Sequence, residues 1–130
     1  MKKLVSLVLV VGAVFILGSC GKTLTTSDID SIEIGDSVKT VEDILGKPTN
    51  ILEKDAAKDS LIYLASTAED NYEKDKKFKA FYEAITNARD NKKLQGLEYT
   101  YKNEDGEEDN KIFYTDRKEV IFLIQPYENY

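Results

Sequence analysis

The side chains able to do chemistry in this 130-residue chain are few in kind. There is one Cys, at position 20, with no His and no Trp, against 24 Asp+Glu and 18 Lys+Arg. Without imidazole there is no Ser-His or Cys-His nucleophile pair and no His-ligated metal. A single thiol excludes an intrachain disulfide and a thiolate zinc cage. Catalysis would have to run on carboxylates, Tyr, Lys or Ser. A hydrolase built on paired carboxylates needs a cleft and a fixed separation, which closeness in sequence does not supply. The acidic stretch Glu104-Asp105-Gly106-Glu107-Glu108-Asp109 invites a calcium reading. An EF-hand loop needs oxygen ligands at its first, third and fifth places before a Gly at the sixth. With Gly106 in the sixth place the first is Tyr101, so the template fails and a solvated hairpin turn is expected. No Gly-rich phosphate loop or metal-ligand spacing is visible, so no catalytic residue, metal or cofactor is expected. The formal net charge of −6 also argues against a nucleic-acid partner.

The lone Cys acquires meaning from what precedes it. Lys2 and Lys3 give a positive start, and Leu4 to Leu17 then runs without a charge. Fourteen residues span about 21 Å as a helix, short of the ~30 Å hydrocarbon core. The segment reads as the apolar region of a signal peptide rather than a membrane span. It ends in Leu17-Gly18-Ser19-Cys20, which resembles a bacterial lipobox: an aliphatic residue, two small residues, then Cys. The pattern implies a diacylglyceryl group on the Cys20 sulfur and cleavage of the bond before it. Residues 1–19 are then the signal peptide, 20–26 a lipid-anchored tether and 27–130 the folded domain. Removing residues 1–19 takes two Lys and no acid, leaving 111 residues and a formal charge of −8. Such an acidic body should stand off from an anionic lipid surface. The abundance of Lys, Asn, Ile and Tyr, with only Arg89 and Arg117 as arginines, leans towards a low-GC Gram-positive host. The expected location is the extracytoplasmic side of the cell membrane.

The elements that must follow are legible in part. Ser27 is expected to cap a short turn with Asp30, burying Ile29 and Ile32. Asp36 or Ser37 can cap a helix to Leu45 with Val38, Val41, Ile44 and Leu45 on its apolar side. Gly46 and Pro48 stop it. Ile51-Leu52 starts an extended segment, Asp55 to Asp59 reads as a turn, and Leu61 to Ala65 reads as a strand. From about Asp70 to Asn91 the residues Tyr72, Phe78, Phe81, Tyr82, Ile85 and Ala88 follow a helical period. Leu97, Tyr99 and Tyr101 alternate with polar residues as a half-buried strand, and Lys111 to Thr115 forms another. The continuous apolar run Val120 to Ile124 suggests a strand covered on both faces. Gln125 to Tyr130 is a short tail.

The segment Gly35-Asp36-Ser37-Val38-Lys39-Thr40-Val41-Glu42-Asp43-Ile44-Leu45-Gly46-Lys47-Pro48 resembles the G-x-[ST]-x-x-x-V-x-x-x-L-G-x-P helix of the SmpA/OmlA (BamE-like) domain, related in fold to β-lactamase inhibitor protein. Gly35, Ser37, Val41, Leu45, Gly46 and Pro48 match at the family's spacing and are structural residues: cap, core contacts and helix stop. The resemblance implies an α+β fold, with two short N-terminal helices packed on a four-stranded antiparallel sheet. A long amphipathic helix inserted between the first and second strands departs from the family's shorter connection.

Together these features lead to a surface lipoprotein acting as a non-enzymatic interaction module in the cell envelope, binding an unidentified envelope protein or peptide. Tyr99, Tyr101, Phe113 and Tyr114 are its candidate interaction surface, provided the inserted helix leaves one sheet face open. The alternatives are an inhibitor of a secreted enzyme, an immunity-type lipoprotein, and, further off, a carboxylate-based hydrolase.

Overall fold

A computed structural model describes residues 23–71 and 75–124 of the chain. The signal-peptide segment, Cys20, Tyr72 and the tail 125–130 lie outside those residues. The elements run α1 (Thr26–Asp30), α2 (Val38–Leu45), β1 (Asn50–Leu52), α3 (Lys54–Asn71), α4 (Lys76–Arg89), β2 (Gln95–Lys102), β3 (Glu108–Thr115) and β4 (Val120–Phe122). The α+β class is as expected, and the strands form one antiparallel sheet in the order β1-β2-β3-β4. Helices cover both of its faces. The front face carries α1 and α2, and the back face carries α3 and α4.

Strand alternation divides the side chains between these faces. Leu97, Tyr99 and Phe113 point to the front and pack with Leu24, Ile29, Ile32, Val41 and Leu45. Tyr114 and Leu52 point to the back and meet Ala57, Leu61, Ala65, Phe81 and Ile85. Strand β4 serves both. Thr115 pairs with Val120 while Tyr114 pairs with Phe122, so one extra residue is accommodated between the two pairs. Such a bulge breaks the two-residue alternation. Val120 therefore enters the front core and Phe122 the back core, each fully buried.

Helix α2 forms as its sequence predicts. Ser37 is the N-cap and accepts a hydrogen bond from the Thr40 amide at 3.0 Å. Val41 and Leu45 are buried, and Gly46 ends the helix at φ 80° and ψ −162°, a region essentially reserved for glycine. Gly35, at φ 98°, brings its amide to the Val120 carbonyl at 2.8 Å. Pro48 is half-buried beyond the helix end. Of the six matching residues, Ser37 thus caps the helix, Val41 and Leu45 are core contacts, Gly46 and Pro48 lie at its end, and Gly35 bonds to β4.

Three local expectations are corrected. The N-cap of α1 is Thr25 with Asp28 as the reciprocal partner, two residues ahead of Ser27 and Asp30. The fold therefore starts inside the expected tether: Leu24 is buried, and its carbonyl accepts the Lys102 amide at 2.9 Å. The stretch Asp55 to Ala65 is neither turn nor strand but belongs to α3. Leu61 and Ala65 are buried while Ile62 and Tyr63 are exposed. That spacing follows a helix that buries Ala57, Leu61, Ala65 and Ala68 on one side, with small alanines allowing close approach to the sheet. The inserted helix is accordingly a packed pair. The second member starts at the Asp75 cap, whose carboxylate accepts the Phe78 amide at 2.9 Å.

Candidate functional site

The four aromatic residues expected to form an interaction surface are not brought together on an open face. Tyr99 and Phe113 lie in the front core, with ring centroids 5.8 Å apart in an edge-on arrangement. Tyr114 lies in the back core against Phe122, at 5.9 Å. Only Tyr101 is half-exposed, its hydroxyl 3.5 Å from Asp109. The two α3–α4 helices cover the aromatic half of the back face. The other half is polar, built from Asn50, Glu98, Thr100 and Asn110. Asn50 donates to Glu98 at 3.4 Å and Thr100 to Asn110 at 2.9 Å. The open aromatic face, conditional on the inserted helix leaving it free, is not formed: two closed cores and a polar strip take its place.

Two tyrosine hydroxyls hold helices to the sheet instead. On the front, Tyr99 donates to the Gly46 carbonyl at 2.7 Å, taking up a backbone group freed by the end of α2. On the back, the hydroxyls of Tyr114 and Ser60 are 2.6 Å apart, tying β3 to α3. Burial pushes the Tyr99 hydroxyl well above its ordinary titration range, with the Glu42 carboxylate adding to the shift. Burial also raises Tyr114; the Ser60 contact works against this and Glu98 adds to it. Both hydroxyls stay protonated at neutral pH.

The acidic loop forms the hairpin turn its composition suggests. The Asn103 side chain accepts the amides of Asp105 and Glu107, each at 3.0 Å, and Gly106 adopts φ 80°. Its carboxylates project into solvent. Among the described residues no group of three or more His, Cys, Asp or Glu could hold a metal ion. None of the described helices is long and apolar enough to cross a membrane.

One open groove does combine groups of different chemistry. It lies where the chain enters the fold, has a volume of about 560 Å³ and is lined by Thr25, Thr26, Ser27, Asp30, Ser31, Lys102, Asn103 and Glu104. The bridge between Thr25 and Lys102 assembles it by laying the start of α1 beside the end of β2. Hydroxyls, one ammonium and two carboxylates thus share one wall system. Nearby, burial lowers the Lys111 ammonium against the opposing pull of Asp30 and Asp109, and its Nζ donates to the Ile124 carbonyl. The sequence reading missed this groove because its halves lie far apart in the chain and neither is a recognisable motif. The polar residues of the expected tether were its only signal.

No family model, no curated protein and no solved structure matches the chain.

Proposed function

We propose that this chain is a surface lipoprotein, anchored through a diacylglyceryl group on Cys20, whose domain is a non-enzymatic interaction module of the cell envelope. The observation that carries this reading is positional. The chain's only Cys closes the lipobox-like Leu17-Gly18-Ser19-Cys20 after a basic start and an uncharged apolar run. Among the described residues the first buried one, Leu24, follows four positions later. Two acyl chains anchor durably where one binds only marginally. The caps and stops formed by Gly35, Ser37, Gly46 and Pro48 support an SmpA/OmlA-like helix, the type the motif resembles.

The domain acts by binding. Its partner contacts lie on helix and loop surfaces rather than on the strand aromatics, since Tyr99, Phe113 and Tyr114 are buried. Ile62 and Tyr63, side by side on the outer face of α3, are the exposed apolar pair best placed for a protein or peptide.

Two measurements test the reading. Metabolic labelling with a radioactive fatty acid should mark the wild-type chain, and Cys20→Ala should lose the label and accumulate as uncleaved precursor. Unchanged labelling of that variant would remove Cys20 as the anchor. Affinity capture from native membranes should then retrieve an envelope protein whose recovery falls with Tyr63→Ala. Recovery unaffected by Tyr63→Ala would overturn the assignment of the α3 face.

A further inference from the structure

We propose that residues 125–130 fold back behind β4 and seat the Tyr127 ring in a groove on the first two turns of α4. The proposal does not depend on the Cys20 anchor. Its first support is the path of the chain. Helix α4 ends at Arg89, and Gln95 then opens β2 opposite Thr115, which pairs with Val120 at the start of β4. The C-terminal end of α4 therefore lies at the start of β4, and the two elements run in opposite directions. The contact between Phe81 and Phe122, with ring centroids 6.3 Å apart, sets their relative level. From there Phe78 lies about 4.5 Å back along the helix axis. Ile124 lies two residues on from Phe122, about 7 Å along an extended chain. The chain thus arrives beside Phe78 at Ile124, where six residues follow.

The exit is also directed. Lys111 shares the front side with its cross-strand partner Tyr99, and its Nζ donates to the Ile124 carbonyl. Asp30 of α1 is close enough to act on that ammonium, so the front is filled at this level while α4 lies behind. Pro126 holds Gln125 in an extended conformation. The three residues from Ile124 to Tyr127 span at most about 11 Å. That reach brings Tyr127 over α4 and carries Tyr130 past it.

The second support is the groove itself, whose volume is about 550 Å³. The described residues that line it are Asp75, Lys76, Phe78, Lys79, Tyr82 and Glu83, all on α4 or its cap. Among the described residues it therefore has one wall. Its floor is the stacked pair Phe78 and Tyr82, with ring centroids 5.8 Å apart. A third aromatic ring suits that floor, since rings gain from offset or edge-on contact beyond the area they bury. At the rim Lys76 and Lys79 balance Asp75 and Glu83, so Glu128, the one charged side chain of the segment, meets no net repulsion.

The full-length protein contains no Trp, so Tyr127→Trp introduces a single indole. Acrylamide should quench it about threefold less than the indole of Tyr63→Trp, at a position 75% exposed, because a seated ring loses most of its accessible area. Adding Tyr82→Ala should raise the quenching to the exposed level, with circular dichroism confirming that the helices remain. Tyr130→Trp should quench as readily as Tyr63→Trp. Equal quenching at positions 127 and 63 would overturn the proposal. So would protection at 127 that survives Tyr82→Ala, which would seat the ring elsewhere, or protection at 130 in place of 127. A second measurement needs no substitution. In the wild-type protein a zero-length carbodiimide should join Glu128 to Lys76 or Lys79 within one chain. A bond formed only between two chains would overturn the proposal in favour of a second copy, and no bond to either lysine would overturn it outright.

Discussion

The front and back of the sheet are closed by different means. The front is covered by helices of five and eight residues, too short to hold themselves together. They are positioned by backbone chemistry: the Thr25 capping box, the Ser37 cap, and hydrogen bonds donated by the Gly35 and Val38 amides to the β4 edge and the turn before it. The back is covered by helices of 18 and 14 residues, positioned by packing. Phe81 stands 6.3 Å from Phe122, and the alanines of α3 let that helix close on the sheet. Each face still uses one tyrosine hydroxyl as a tie. Short covers depend on individual hydrogen bonds, and long covers depend on a stripe.

The sharpest test of the back cover is a pair of truncations two residues apart. Leu61→Ala should cost about 2–5 kcal/mol, because the side chain is fully buried. Tyr63→Ala should stay within about 0.5 kcal/mol, its side chain being 75% exposed. Urea unfolding of the two variants reads the difference directly. In a strand, positions 61 and 63 would share a face, so equal losses would restore the strand reading and dissolve the back cover as described.

A smaller loss should follow from a single backbone position on the front. Gly46→Ala forces a side chain into the φ 80°, ψ −162° conformation, at a cost of about 1–3 kcal/mol. Thermal unfolding of that variant measures it. A neutral outcome would mean that α2 is held by its buried side chains alone, as on the back.

The two hydroxyl ties should be worth less and be nearly matched. Tyr99→Phe and Tyr114→Phe should each lose about 0.5–1.5 kcal/mol. A much larger loss at one site would show that its face depends on the tie more than its neighbour does.

The same tyrosines set an alkaline limit. Their folded-state titration is raised above the ordinary value of 10.0, so the stability they confer is complete below that pH. It is lost as pH rises above it, because the unfolded chain ionises first. Unfolding measured against pH should show a decline above about pH 10 that the Tyr99→Phe, Tyr114→Phe double variant flattens.

The contrast between the faces also explains which parts were readable from sequence. The front helix α2 announces itself because caps and stops are local, and Ser37, Gly46 and Pro48 fall at the positions that need them. The outline of α4 was readable because Phe78, Phe81, Ile85 and Ala88 mark a wide apolar stripe. Helix α3 was not. Its run Leu61 to Leu64 is continuously apolar and its buried side rests on Ala57, Ala65 and Ala68, residues whose hydrophobicity is too slight to mark a face. Only the position of the sheet decides between helix and strand there. The aromatic surface required an open face. Alternation separates Tyr99 from Tyr114, and the apolar stripe of the inserted helix already favours a cover on the second face over an open surface. The groove depended on the meeting of Thr25 and Lys102, which no local pattern encodes.

The bulge in β4 has a mechanical consequence. A three-residue strand supplies Val120 to one core and Phe122 to the other. Peeling that edge away would open both sides of the molecule at once. The two cores therefore have no independent route to unfolding through this edge. Hydrogen exchange at Val120 to Phe122 should proceed only with the opening of the whole domain, whereas the α1 amides, outside that edge, exchange by local fraying.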